Sequence, residues 1–483
     1  MRSIVTGLAV LCLGGAAFAD TLKVPQDHLT IGAAVAAAAS GDTIVVSKGV
    51  YRENVSFAGK DNLKFVGKKA VWDGNIAGSD GICLYGTGNG TSVKGFTFRN
   101  GDRHLHLVGN GVVVTKCSFF DPDSDAIVID GDDATVKSCR VVGAGEDSVE
   151  VNGADALVCK SLVRQCNGVG IYVSGSSADV QKNTVLLVDD EGGVYVSGSA
   201  ASVTKNRVSL TDDDGIEIYS DGAFVQKNAV SMTGGDGIYW EGSSVTIDAN
   251  TVSGTDDEGI YVNGTSAFVT GNTASGTDDA GFYVYGSGFT VSGNRASSVL
   301  YDAGFYANDV NGSGGTFERN SATDTMSDGM DIYGNGLDVR DCTATGCGAD
   351  GEDARIGIYV NGSGNTVDGC TATGCASAGI YIEGTGNTAT DCASVNSTEA
   401  GFVVRGTGNT LDDCIATGSG SEGLVNFGTS TDILDCTFTG SGRFDVTNAS
   451  NGWGASFSDF DDNEFDTGGV LQNPEVYYFD GGG

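Results

Sequence analysis

Apolar and polar positions alternate in short bursts along this chain, and the bursts return at a nearly fixed interval. The stretch TDDEGIYVNG at 255–264 shows the unit: an acidic turn, Gly259, then Ile260, Tyr261 and Val262. Period-two alternation sends Ile260 and Val262 to one side and Tyr261 to the other. Taking the residue that opens the apolar hexamer as an anchor gives Gly170, Gly193, Gly215, Gly237, Gly259, Gly281, Gly304, Gly329, Gly357, Gly379, Gly401 and Gly423, with most steps 22 residues and two of 23. Weaker copies open at Gly81, His104, Ala126 and Ser148, making sixteen anchors from 81 to 423. A fixed period of this length signals a repeat architecture.

Each copy contains three short pieces. The anchor piece is followed by a Gly-rich turn and a second piece ending on a polar residue, as in Val203-Thr-Lys-Asn206, Val225-Gln-Lys-Asn228 and Val269-Thr-Gly-Asn272; a third piece closes on an acidic turn. Neither a leucine frame nor a nine-residue beat is present, so leucine-rich and calcium-binding nonapeptide repeats are excluded. The pattern predicts an all-β solenoid with three short parallel strands per coil. Asn183, Asn206, Asn228, Asn250, Asn272, Asn294 and Asn320 fall on one turn. Coils stacked about 4.8 Å apart let each asparagine amide donate to its neighbour while tolerating a tight backbone.

Over residues 29–440 these features resemble the right-handed parallel β-helix of the pectate lyase-like proteins, whose asparagine ladder the column matches. The resemblance implies about 16 or more coils of 22–23 residues and a rod of roughly 75 Å at the coil spacing. It also implies that the tyrosines of the anchor pieces line the first sheet, where that family carries its substrate groove. Leu29 to Ala39 reads as a short helix capping the open end. The following Gly49-x-Tyr51-x-Glu53 element is similar to the start of pectin methylesterases, whose downstream catalytic motifs are missing here.

Four segments are expected: a signal peptide at 1–19 ending Ala17-Phe18-Ala19, an N-terminal cap and first coils at 20–80, β-helix repeats at 81–440, and an irregular, aromatic-rich C-terminal cap at 441–483. The leader predicts a secreted or periplasmic protein, and no later apolar run is long enough to span a bilayer. The repeat crosses the midpoint without a linker, so one elongated domain is expected. Within 441–483, Asp459-x-Asp461-x-Asn463 imitates the start of an EF-hand loop, but Glu464 stands where glycine is needed. Seven cysteines, Cys117, Cys139, Cys342, Cys370, Cys392, Cys414 and Cys436, replace asparagine in the flanking coils. Buried thiol stacking is favoured there over disulfides, and no zinc-type spacing appears.

With 63 acidic against 26 basic residues and a net charge of −37, nucleic acid is disfavoured as a partner. Eight outward tyrosines recur two residues past the anchor: Tyr172, Tyr195, Tyr239, Tyr261, Tyr283, Tyr306, Tyr359 and Tyr381, with Glu217 and Asp331 interrupting the column. Their ring faces suit sugar rings, so an extracellular polysaccharide is the expected partner, against the alternative that like side chains simply ladder on a non-catalytic rod. Beside them runs an acidic column including Asp212, Asp213, Asp214, Asp256, Asp257, Glu258, Asp278 and Asp279. Carboxylates repeated at coil spacing repel, and calcium is the natural hard cation to offset this, against a merely solvated acidic face.

Two patches are candidates for catalytic chemistry, each against a purely structural reading of the same residues. Arg103, His106, Asp123 and Asp125 bring guanidinium, imidazole and carboxylates to one region, and Asp121-Pro-Asp123-Ser-Asp125 faintly resembles an element of the mannuronan C5-epimerases, with aspartate where that family has histidine and His106 as the base. Alternatively, Ser327-Asp328-Gly-Met-Asp331 resembles a polygalacturonase segment, followed by an insertion carrying Asp353, while that family's Gly-His-Gly and Arg-Ile-Lys motifs are absent. The enzyme classes these imply are polysaccharide lyase, glycoside hydrolase or uronate epimerase.

Overall fold

The computed structural model describes residues 19–74, 81–310, 312, 314–348, 355–449, 455–461, 463–465 and 470–472. The leader before Ala19, Asp353 and most of the last aromatic residues lie outside them. The chain winds through about 19 turns of a right-handed parallel β-helix. One coil shows the plan: Ile260–Thr265 on the first sheet, Phe268–Thr270 on the second, Thr273–Ser275 on the third. Successive coils pair in parallel, in register through the repeat region, as Ile260 with Phe282, Tyr261 with Tyr283 and Val262 with Val284, with a register shift between Thr431 and Asp432 near the end. Ile260, Val262, Val269 and Ala274 all point inward and are fully buried.

The anchor glycines mark the corner between the third and first sheets. A Cβ at Gly259 would lie 2.5 Å from the Gly281 carbonyl and 2.7 Å from the Ala274 methyl, closer than the coil spacing can accommodate. His104 occupies that corner in its own coil and is fully buried against the stacked pair Phe98 and Phe119, with ring centroids 6.1 and 5.9 Å away.

The asparagine ladder holds the second turn. Asn228 accepts, through Oδ1, the backbone N–H of Asn206 at 2.9 Å and its side-chain Nδ2 at 3.1 Å, while its own Nδ2 donates to the Val203 carbonyl at 2.8 Å. These groups are buried and satisfied by one another, which is what a buried amide requires. The cysteines continue the column as thiols: all twelve described are free and buried, and Cys342 Sγ lies 3.3 Å from the Arg340 carbonyl. Where thiols take over the second turn, Asn365, Asn387 and Asn409 build a second ladder in the first turn, the Asn365 N–H donating to Asn387 Oδ1 and the Asn387 N–H to Asn409 Oδ1. The recurring Gly-x-Gly-Asn-Thr at 362–366, 384–388 and 406–410 was the available signal.

At the N-terminus, α1 (Ile31–Ala37) is capped by Thr30, and the Glu53 carboxylate accepts the Ile31 and Gly32 N–H groups. Winding begins before the first anchor: Val55–Ala58 already pairs with Leu84–Thr87 across a 29-residue step. It also continues past residue 440. Phe457–Asp461, Glu464–Phe465 and Val470–Gln472 extend the second, third and first sheets. Asn463 belongs to the ladder, accepting the Cys436 N–H and donating to the Ile433 carbonyl, so the EF-hand likeness around Asp459 reflects a coil turn.

Candidate active site and binding face

Register places the outward residues of the first sheet in one row. Tyr85, His106, Val128, Glu150, Tyr172, Tyr195, Glu217 and Tyr239 follow one another coil by coil. The tyrosine column therefore runs into His106 and Glu150 at its N-terminal end.

The rings stack on one another. Tyr172 and Tyr195 lie 4.9 Å apart at 2°, Tyr239 and Tyr261 4.9 Å at 2°, Tyr261 and Tyr283 5.0 Å at 5°, and Tyr283 and Tyr306 4.7 Å at 11°. Their faces are consumed by each other, so what they offer outward is a row of ring edges and hydroxyls. Sugar-face stacking on these rings, expected from sequence, does not fit this geometry. At the two interruptions the track is bridged from the neighbouring outward position: Tyr219 contacts Tyr195 and Tyr239 beside Glu217, and Tyr333 contacts Tyr306 and Tyr359 beside Asp331. Sequence reading missed both, because it followed one column only. Tyr381 is 7% exposed under a small apolar cluster with Ile356, Val403 and Val425, and cannot meet a glycan.

The acidic turns divide into two kinds of position. Residues just before the anchor clamp the next coil: Asp125 Oδ1 accepts the Asp147 N–H, Asp147 Oδ1 the Val169 N–H, Asp214 Oδ1 the Asp236 N–H, and Asp236 Oδ1 the Glu258 N–H. Burial and neighbouring carboxylates push Asp147 and Asp214 up to about 7 and Asp236 up to about 10, and Glu258 is raised by burial as well. Repulsion is thus offset by backbone N–H groups and retained protons. Asp212, Asp213, Asp256 and Asp257 are exposed, and Asp278 and Asp279 half-buried. None of the eight acids expected to hold calcium belongs to a convergent three-ligand group among the described residues; those groups are Asp125, Asp147 and Glu150, and Asp412, Asp413 and Asp435.

Around the first group a patch forms. Arg103 Nη2 lies 2.5 Å from Asp125 Oδ2, Arg103 Nη1 is 3.5 Å from His106 Nδ1, and His106 Nε2 is 2.8 Å from Asp130 Oδ2. Asp130 resists its partial burial and stays below the usual carboxylate range, held by the Asn152 amide and by His106. Asn152 also donates to Glu150 Oε1 at 2.8 Å. Arg103, Asp125, Asp147, Glu150 and Tyr172 line an open cleft of about 520 Å³. Of the four residues expected here, Arg103, His106 and Asp125 converge, while Asp123 is exposed. Asp130, Asp147 and Glu150 were not anticipated; Glu150 was legible as a break in the tyrosine column. A calcium ion at Asp125 would have to displace Arg103, which already supplies the positive charge, so the donor set fits that ion poorly.

In the second patch, burial and the adjacent Asp328 charge push Asp331 well above the usual range. Asp331 Oδ1 is buried without a partner. Asp328 Oδ1 accepts the Ile356 N–H, and Arg355 donates to Ser327 Oγ at 2.9 Å.

The sequence matches the right-handed β-helix region family over residues 47–186, 192–336, 290–441 and 356–473. The chain belongs to this family. Among solved structures, this β-helix is similar to a PL6-family alginate lyase at 11% identity, covering 94% of this chain and 89% of that one with a TM-score of 0.41. It is also similar to the A-module of an Azotobacter vinelandii mannuronan C-5 epimerase, at 13% identity, 91% and 93% coverage and a TM-score of 0.29. The Dettilon tailspike protein is 15% identical, with 80% and 66% coverage and a TM-score of 0.27, so the β-helix spans about two thirds of the tailspike's length. No curated protein matches the sequence. No helix among the described residues is long and apolar enough to cross a membrane.

Proposed function

We infer that this β-helix protein is an exported glycoside hydrolase acting on a polysaccharide laid along the first sheet, with its reaction centre in the Arg103–Glu150 cleft. The observation that carries this reading is the pairing, in one open cleft, of a carboxyl that keeps its proton near neutral pH with a second carboxylate close by. Asp147, at about 7, is suited to protonate a leaving oxygen. Glu150 is the second carboxylate, its nearest oxygen within 4.8 Å of Asp147. Two carboxyl groups flanking a glycosidic bond are the minimum such a reaction needs. His106, paired with Asp130, and Arg103, paired with Asp125, orient the substrate hydroxyls from the N-terminal side. The strongly acidic cleft favours a neutral glycan over a polyuronate.

The tyrosine track extends the site as a row of hydroxyls. Tyr239 donates to Glu241 Oε2 at 3.1 Å and Tyr359 to Glu383 Oε2 at 2.7 Å, which fixes the hydroxyl positions that sugar hydroxyls would meet. A second reading, a non-catalytic rod, is favoured by the closed ring faces of Tyr172 through Tyr306. Incubation with neutral and uronate polysaccharides separates the two: new reducing ends on a neutral glycan support the hydrolase, and unsaturated products or none contradict it.

A further inference from the structure

From Asn100 onward, each coil passes through one left-handed residue at the end of the third sheet. The column runs Asn100, Asp121, Gly143, Gln165, Leu187, Leu210, Met232, Gly254, Gly276, Ser298 and Asp324, with φ between 51° and 74° throughout. Glycine, asparagine and aspartate are the residues this conformation favours. Four successive coils instead carry long side chains, at φ of 59° for Gln165 and Leu187, 60° for Leu210 and 58° for Met232. Each of these pays backbone strain and none is fully buried: Gln165 is exposed, Leu187 half-buried, Leu210 43% and Met232 55% exposed. Strain kept at exposed apolar residues points to a use outside the fold itself. The three apolar side chains line a surface cleft of about 410 Å³, edged by Asp189, Asp212 and Asp256, all exposed.

We propose that the Leu187–Leu210–Met232 ridge is a docking surface for a basic, amphipathic segment of a partner protein. Rungs about 4.8 Å apart present apolar contacts along the rod, and the acidic edge pairs with lysine or arginine side chains flanking the partner's apolar face. Leucine and methionine offer sugar hydroxyls no hydrogen bond, which sets this face apart from the tyrosine row. A second copy of this chain, at net charge −37, would meet the acidic edge with like charge.

The test uses two fluorescein-labelled peptides of equal charge, one alternating leucine and lysine in an amphipathic pattern and one with serine in place of leucine, titrated with the full mature chain. Wild type binds the leucine peptide at least tenfold more tightly than the serine peptide. The Leu210→Asn/Met232→Asn variant, which installs the residue that Asn100 carries at this position, loses that preference while its thermal midpoint stays equal or rises. Equal affinity for both peptides, or a preference that survives in the variant, overturns the proposal. A wild-type dimer in light scattering that becomes monomeric in the variant also overturns it, by assigning the ridge to a second copy.

Discussion

Tyr172 and Tyr195 stack face to face, centroids 4.9 Å apart and planes within 2°. That closeness decides how the tyrosine row works: aromatic pairs add stability to the rod, and only hydroxyls and edges remain for a ligand. Tyr261, stacked on both Tyr239 and Tyr283, separates the two contributions. Tyr261→Ala is expected to cost about 1–3 kcal/mol of stability, two aromatic pairs at about 0.5–1.5 kcal/mol each. Tyr261→Phe keeps the stack, leaves the urea midpoint nearly unchanged, and weakens retention on an immobilised glycan.

The ladder makes a sharper stability prediction. Asn250 accepts the Asn228 N–H and amide, and donates to the Val225 carbonyl and to Asn272. Asn250→Ala leaves several buried groups unsatisfied, each worth about 1–3 kcal/mol. Urea unfolding should show a loss of at least about 3 kcal/mol, far above that of an exposed turn asparagine such as Asn89.

Protonation should stabilise the rod. Asp147 and Asp214 rise to about 7 and Asp236 to about 10, so between the ordinary carboxylate range and those values the folded chain holds more protons than the unfolded one. Their contribution is complete at low pH and is lost as pH climbs through about 7 to 10. Thermal midpoints are therefore expected to rise on acidification from pH 8 to pH 6.5, and Asp214→Asn to flatten that slope.

His104 works in the opposite sense. Burial lowers it to about 4, with only the Asn100 carbonyl favouring its charged form, and neither ring nitrogen has a partner of hydrogen-bond geometry. Below about pH 6.5 the unfolded chain takes up a proton that the folded one refuses, so this residue subtracts stability down to about pH 4. His104→Phe, packing against the stacked pair Phe98 and Phe119, should raise stability by about 1–3 kcal/mol and remove that acid-side loss.

The periodicity of Ile260, Tyr261 and Val262 carried the solenoid, the three sheets and the ladder turn, because inward and outward positions in a stacked coil repeat with the sequence. Register errors are costly in such a stack, so the pattern is unusually explicit. The site was legible only in part. Arg103, His106 and Asp125 lie close together in sequence and could be grouped, whereas Asp147 and Asp130 enter through neighbouring coils. The acidic turns misled for a related reason: Asp212 and Asp257 look like their neighbours in sequence, yet it is residues immediately before an anchor, such as Asp214 and Asp236, that accept a backbone N–H of the next coil. Tyr219 and Tyr333 were hidden because ring contact crosses from one outward column to the other.

The most direct test of the hydrolase reading is the rate of reducing-end release from a neutral polysaccharide by wild type and Asp147→Asn. The amide keeps an acceptor for the Val169 N–H, so the coil clamp survives while the transferable proton is lost. The expected result is a fall in kcat of about 100-fold or more with KM nearly unchanged. An undiminished kcat in a folded Asp147→Asn protein would contradict the assignment of the cleft as the reaction centre.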